Sequence, residues 1–215
     1  MPTESDNRIA CINLCPSGFP GNEDAVWDKA ARVSLVHVEN GQRPFLRTEF
    51  SVFRCDEQRV LYFRFWGEDD EWHSCFRMHD EPLYRDDVFE AFISDDGSLR
   101  RYLELEVSPH DVRFDGVITY DDRGISHLNM SLDIEGWETR TVRDKVKLTT
   151  ASVWALPYAA FSSPPENGRS WRINVFRIDH SRRGEALLAW QQTKVNNFHV
   201  PECFGYLDFV NEISE

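Results

Sequence analysis

The chain has 215 residues, of which 41% are hydrophobic, enough for the core of one large domain. Its formal net charge at pH 7 is −13. This charge argues against a nucleic-acid partner, because phosphates need Lys and Arg for neutralisation. No apolar run approaches the roughly 20 residues that a membrane helix needs, so we expect no membrane partner.

Aromatic residues make up 13% of the chain, and aromatic enrichment favours strands over helices. The predicted strands, in chain order, are Arg8–Leu14, Val33–Val38, Leu46–Phe53, Arg59–Trp66, Val88–Ile93, Tyr102–Val107, Val112–Tyr120, Trp137–Val142, Val146–Leu156, Trp171–Ile178 and Phe204–Val210. Short helical turns are predicted at Ala25–Ala30 and Pro157–Phe161. This pattern predicts an all-β fold, an antiparallel β-sandwich or jelly roll with a few short helical turns. We expect one domain over residues 1–215, with residues 1–7 loose.

The stretch Leu83–Pro109 predicts a strand, a polar turn and a returning strand. The turn contains Asp96-Gly97, a strong hairpin signal. On the returning strand, apolar side chains alternate with Glu104 and Glu106. A period of two buries one face and leaves the other for water or a ligand.

The cysteine pattern favours reduced, mostly buried thiols. The five cysteines are Cys11, Cys15, Cys55, Cys75 and Cys203. Their number is odd, and Cys11 and Cys15 lie four apart without a CxxC motif or a nearby histidine pair to complete a zinc site. The first residues contain no basic region followed by an apolar one, so we expect a cytoplasmic protein, or a secreted one if a leader has been removed.

The ordered set of segments resembles the family 9 carbohydrate-binding modules. It comprises Trp27, Leu61–Phe63, Leu83–Ile93, Tyr102–Pro109, Trp171–Arg177, Trp190 and Phe198–Gly205. The resemblance covers the chain from about Trp27 to Phe209 and implies an antiparallel sandwich in which two aromatic rings clamp a terminal sugar.

The resemblance assigns the ring positions to Tyr84 and Phe198, where the best-known members carry tryptophan, and the carboxylate to Glu90. Val153 stands where relatives often carry a strand glutamate. Members of the family also bind structural calcium. The available oxygens are those of Asp95, Asp96, Asp121 and Asp122, but their spacing is not diagnostic, so the metal content stays open.

Sugar recognition needs apolar ring faces for C–H groups and planar polar groups for hydroxyls. The predicted ligand-binding residues are Tyr84, Glu90, Arg172, Asn174, Arg177, Phe198 and His199. The alternative for Tyr84 and Phe198 is packing in the core or at its rim. For Glu90 it is a structural ion pair with one of the two arginines, because an unpaired buried carboxylate is costly.

Three functions remain open. The first is a module that binds the end of a mono- or oligosaccharide in carbohydrate catabolism. The second is a hydrolase acting on O-glycosyl compounds, or its accessory subunit, since Glu90, Glu104 and Glu106 could supply two carboxylates. No GxSxG or HExxH motif occurs, and no catalytic residue is predicted. The third is a sandwich that serves as an interaction domain without sugar binding.

Overall fold

The computed structural model describes residues 7–211, and fourteen strands lie within them. The strands are β1 (Arg8–Ile12), β2 (Ala31–Ser34), β3 (Val36–His37), β4 (Thr48–Cys55), β5 (Val60–Glu68), β6 (Val88–Ser94), β7 (Arg101–Val107), β8 (Arg113–Tyr120), β9 (Ser126–Asn129), β10 (Glu138–Asp144), β11 (Thr149–Pro157), β12 (Ser170–Ser181), β13 (Gly184–Ala189) and β14 (Gly205–Val210). Short 3₁₀ helices span Ala25–Asp28, Leu83–Arg85, Tyr158–Ala160 and Pro201–Cys203. The predicted all-β fold with a few short helical turns is confirmed. The expectation for residues 1–7 lies, apart from Asn7, outside the described residues.

Two sheets form the sandwich. The nine-stranded sheet runs β1-β14-β12-β6-β7-β8-β9, with β13 paired to β12 and β3 paired to β13. The five-stranded sheet runs β10-β11-β5-β4-β2. The named strands pair antiparallel, except that β1 runs parallel to β14. Among residues 7–211, no helix is long and apolar enough to cross a membrane.

The interior of the sandwich is filled by alternate residues of both sheets. Phe63 and Phe65 of β5 face Ile93 of β6 and Leu105 of β7, and all four are fully buried within one cluster. Burying one such side chain stabilises the fold by about 1.5–3 kcal/mol. This layer fixes which residues of each strand point inward and which point outward.

The nine-stranded sheet also buries much of its outer face, the face that points away from the partner sheet. Phe92, Tyr102 and Phe176 project from it and pack against Phe198 and Phe204 of the segment before β14. The strand pattern predicts water or a ligand on this face. The structure shows that an apolar layer covers part of this face.

Two local features differ from the sequence prediction. The predicted strand Val33–Val38 is divided between β2 in one sheet and β3 in the other, with buried Leu35 between them. Strand β9 was not predicted, because its four residues are exposed and show no alternation. The predicted turn at Gly97 is present, and its φ of 70° lies in the left-handed region that glycine adopts without strain.

Candidate functional site

A cavity of about 800 Å³ opens on the outer face of the nine-stranded sheet. We call it the outer-face cavity. Strands β6, β7 and β8 contribute residues to it, together with the turn at Leu83–Arg85 and the segment 196–199. Its lining residues are Asp80, Pro82, Tyr84, Glu90, Glu104, Glu106, Phe114, Ile118, Ser126, Leu128, Met130, Ile178, Leu187, Asn196, Asn197, Phe198 and His199.

Three glutamates meet in this cavity. Glu104 and Glu106 are two apart on β7, and Glu90 of β6 lies opposite Glu106 in the antiparallel register, so all three project from one face. One carboxylate oxygen from each glutamate lies within 4.8 Å of one from each of the other two. The three residues are only 2%, 7% and 2% exposed for Glu90, Glu104 and Glu106. Three carboxyl groups this close together and this well shielded from water cannot all be ionised without a large cost in free energy.

Burial therefore raises the pKa of each carboxyl group. The pKa of Glu104 rises to about 7 by burial. The pKa values of Glu90 and Glu106 lie well above the ordinary range, first because of burial and then because of repulsion by the neighbouring glutamates. Oε1 of Glu90 and Oε2 of Glu106 have no hydrogen-bond partner. The cluster thus presents protonated acids that can donate, and unpaired oxygens that can accept, hydrogen bonds.

Geometry alone would also let the three carboxylates surround a cation. Without a cation, burial and mutual repulsion keep the pKa values of Glu90 and Glu106 raised.

A neutral histidine borders the cluster. The Nδ1 atom of His199 lies 2.8 Å from the Tyr102 hydroxyl, and its Nε2 lies 3.7 Å from Oε1 of Glu104. The ring stacks on Phe92 with the centroids 5.0 Å apart. Burial lowers the pKa of His199, so the imidazole is uncharged at neutral pH. A neutral imidazole offers one donor and one acceptor to a ligand or to its neighbours.

Two aromatic rings line the same cavity. Tyr84 is 53% exposed, and a backbone hydrogen bond from it to Glu106 ties its turn to β7. Phe198 is 7% exposed and stacks on Phe176 at 4.3 Å between centroids and 17° between planes. Phe198 therefore combines core packing with a place in the cavity wall, whereas Tyr84 stands at the rim.

Arg172 and Asn174 lie outside this cavity and hold neighbouring chain segments. The guanidinium of Arg172 lies over the ring of Tyr206 at 4.6 Å and donates to the carbonyl oxygen of Gly205 at 3.3 Å. Asn174 donates to the carbonyl oxygen of Gln191 at 2.8 Å and accepts from its N–H at 2.9 Å. Asn174 thereby fixes the start of the segment that carries Phe198 and His199.

Arg177 lies on the opposite face of β12, between the two sheets. Its guanidinium donates to Oδ1 of Asp179 at 2.5 Å, to the Thr48 hydroxyl at 3.0 Å and to the carbonyl oxygen of Glu68 at 2.8 Å. Arg177 is a structural tie between the sheets. The proposed ion pair of Glu90 with Arg172 or Arg177 is therefore wrong, because both guanidinium groups are engaged elsewhere.

The aspartates considered for calcium do not form a ligand cluster. Asp95 accepts from the N–H groups of Ser162 and Ser163 and pairs with Arg101, so it fastens a loop. The other three lie in or next to turns. Asp96 accepts from Ser98 N–H, Asp121 from Ile125 N–H, and Asp122 from Arg100. Among the described residues, none of the four belongs to a group of three ligand-type side chains close enough to share a metal ion.

The sequence prediction omitted Glu104 and Glu106 from the ligand-binding set. The signal was present, since a Glu-x-Glu pattern on one strand faces a glutamate on the strand it pairs with. The pattern did not indicate that these glutamates are buried, because alternating glutamates are ordinary on a solvated sheet.

A second large cavity, of about 880 Å³, lies on the outer face of the five-stranded sheet. Trp66 lines it beneath the guanidinium of Arg47, at 5.1 Å from the ring centroid. Several of its charges are already paired, for example Lys147 with Glu23 at 2.7 Å. It contains no counterpart of the buried unpaired acids, so we favour the outer-face cavity as the functional site.

The chain has the β-sandwich fold of the family 9 carbohydrate-binding modules, and one outer face of the sandwich carries an acidic cavity. Of the solved structures, a candidate carbohydrate-binding protein from Bacteroides uniformis superposes with a TM-score of 0.74 at 15% identity, over 94% of this chain and 99% of that one.

A family 9 carbohydrate-binding module from Caldicellulosiruptor kristjanssonii in complex with glucose gives a TM-score of 0.63 at 14% identity, over 97% and 98% of the two chains. Its complex with cellotriose gives 0.63 at 15% identity, over 97% and 95%. Among curated proteins, an "Extracellular protein" of Arthroderma benhamiae is 26% identical over 182 residues, covering 79% of this chain and 81% of the relative. No family model matches the chain.

Proposed function

We propose that this chain is a carbohydrate-binding protein, folded as one domain, that takes the terminal sugar of a mono- or oligosaccharide into the outer-face cavity and serves carbohydrate catabolism. The observation that carries the proposal is the cluster of Glu90, Glu104 and Glu106, buried at an open cavity with two oxygens unpaired. Such groups are costly unless something completes their hydrogen bonds.

A sugar meets the chemistry of this cavity better than a charged ligand does. Its hydroxyl groups both donate and accept, which suits acids held protonated by burial. Its C–H faces suit the rings of Tyr84 and Phe198, which line the same cavity. An anion would meet the acids unfavourably, and no Lys or Arg lines the cavity among the described residues.

The comparisons support the class of ligand. The two Caldicellulosiruptor complexes hold glucose and cellotriose in modules of the same fold. We infer that glucose and short glucans are the first sugars to try here. Smaller rings than tryptophan offer less stacking area, so we expect weaker affinity than a pair of tryptophans would give.

Calorimetric titration with glucose, cellotriose and xylobiose tests the proposal. We expect binding by the wild type and a loss of at least about 1 kcal/mol in binding free energy for Tyr84→Ala, from removal of one ring contact. Phe198→Ala should do the same. Tyr206→Ala is the matched control, because Tyr206 lies under Arg172 and away from the cavity. Equal losses in all three variants would contradict the assignment of the site to the outer-face cavity. No binding of any sugar by the wild type on a broad glycan array would favour the interaction-domain alternative.

One observation favours a second candidate, glycoside hydrolysis. Glu104, with a pKa of about 7, could act as an acid beside a second carboxylate, and retaining enzymes hold the two about 5–5.5 Å apart. Turnover of aryl glycosides that disappears in Glu90→Gln would establish this candidate. We rank it second, because Glu90 and Glu106 are both held protonated by burial, and a nucleophile must be ionised.

The location of the protein stays a prediction. The Arthroderma relative is named an extracellular protein. We infer that secretion should be tested first. An antibody to this chain would measure its amount in the culture fluid and in the cell fraction of the native organism.

A further inference from the structure

A second cluster of ligand-type side chains flanks the turn at Leu83–Arg85, outside the outer-face cavity. His73, Cys75 and Asp86 each offer one ligand atom, and these atoms lie within 4.8 Å of one another. The Nε2 atom of His73 is 3.5 Å from Oδ1 of Asp86. The site joins two chain segments, because Cys75 and Asp86 are 11 positions apart in the sequence.

The backbone around these side chains is fixed before any ligand arrives. The N–H of Cys75 donates to Oδ2 of Asp86, which leaves Oδ1 turned to His73. The N–H of His73 donates to Oδ2 of Asp87 at 2.7 Å, and the N–H of Asp87 donates to the carbonyl oxygen of His73 at 2.8 Å. These bonds clamp the two segments together, so little ordering entropy is lost when a ligand binds.

We propose that His73, Cys75 and Asp86 bind a divalent transition-metal ion, with zinc as the expected metal. A thiolate, an imidazole and a carboxylate form the mixed ligand set that zinc takes, whereas calcium and magnesium prefer oxygen ligands alone. Zinc–ligand bonds of about 2.0–2.1 Å at a tetrahedral angle put nitrogen and oxygen ligands about 3.3 Å apart. The separation of 3.5 Å between His73 and Asp86 is close to this value.

The surroundings favour a cation and leave it accessible. The ring of His180 lies 4.9 Å from that of His73. Its Nδ1 lies 3.0 Å from Oδ1 of Asp87 and its Nε2 lies 3.2 Å from Oε2 of Glu185, so acidic groups form the next layer. His73 and Cys75 are both exposed. Three protein ligands leave a fourth position for water or another small ligand, as in zinc sites with an open position.

The sequence argued against a zinc site at any of the five cysteines. Cys75 is exposed, and its partners come from an irregular segment and from the residue after a 3₁₀ turn. No periodicity links such positions, which is why a search for CxxC spacing does not find them.

Titration of the untagged protein with Co²⁺, followed by displacement with Zn²⁺, tests the proposal. We expect one Co²⁺ per chain and a sulfur-to-cobalt charge-transfer band in the near ultraviolet. The band should vanish in Cys75→Ser, and His73→Gln should weaken binding by at least about tenfold, since even outer-shell changes cost that much. Cys15→Ser is the matched control, because Cys15 is also exposed but lies elsewhere.

A measurement on the wild type alone guards against variants that fail to fold. Zn²⁺ should slow alkylation of Cys75 by iodoacetamide, read by peptide mass spectrometry, and leave alkylation of Cys15 unchanged. Equal protection of both thiols, binding that survives in Cys75→Ser, or no saturable binding of Co²⁺ or Zn²⁺ would each overturn the proposal.

Discussion

Replacement of Glu104 by glutamine should change how the stability of the fold depends on pH. Burial raises the pKa of Glu104 from 4.5 to about 7. The folded state therefore binds this proton more tightly than the unfolded state, and stability falls as pH rises from about 4.5 through about 7. The shift corresponds to about 3 kcal/mol, at 1.36 kcal/mol per pH unit, lost by pH 8.

Glutamine has nearly the same shape and no proton to lose. We expect Glu104→Gln to resemble the wild type at pH 4, where the glutamate is protonated in both states. By pH 8 the variant should have gained up to about 3 kcal/mol relative to the wild type. Urea unfolding between pH 4 and 8.5, followed by the fluorescence of buried Trp27, Trp154 and Trp171, measures this difference.

Glu57→Gln is the matched control, since Glu57 is exposed in the turn after β4 and should leave the pH profile unchanged. If the profile of Glu104→Gln runs parallel to that of the wild type, Glu104 is ionised in the fold and the account of the buried acids is refuted.

Two further substitutions test the assignments of the polar residues on β12. Arg177→Met should cost about 3–5 kcal/mol of stability in urea unfolding, because it leaves buried Asp179 without its partner. The control Arg32→Met, which breaks a surface ion pair, should cost less than about 1 kcal/mol, and similar losses in the two variants would contradict the role of Arg177 as a tie between the sheets. Asn174→Ala should cost about 1–3 kcal/mol and also weaken sugar binding in calorimetry, because it removes both hydrogen bonds to the Gln191 backbone at the start of the segment that carries Phe198. Unchanged sugar affinity would separate that segment from the site.

Much of the fold could be predicted from the sequence. The alternation on β7 correctly assigned Leu103 and Leu105 to the interior and Glu104 and Glu106 to the outer face. The same alternation applies to β12. Glu90 pairs with Phe176, so even-numbered residues of β12 share its face and Arg177 points the other way.

The rest depends on contacts between remote segments. The glutamates are buried because the segment 196–199 and the turn at Leu83–Arg85 pack on the outer face of the sheet. No local sequence pattern predicts this packing. The break between β2 and β3 has the same origin. Leu35 is drawn into the core between two sheets, which a single alternating run of residues cannot indicate.

A crystal structure of this chain with bound cellotriose tests the central claim most directly. We predict that a terminal sugar lies in the outer-face cavity, against Tyr84 and Phe198 and within hydrogen-bond distance of Glu90. A sugar bound instead beside Trp66, in the cavity of the five-stranded sheet, would contradict it.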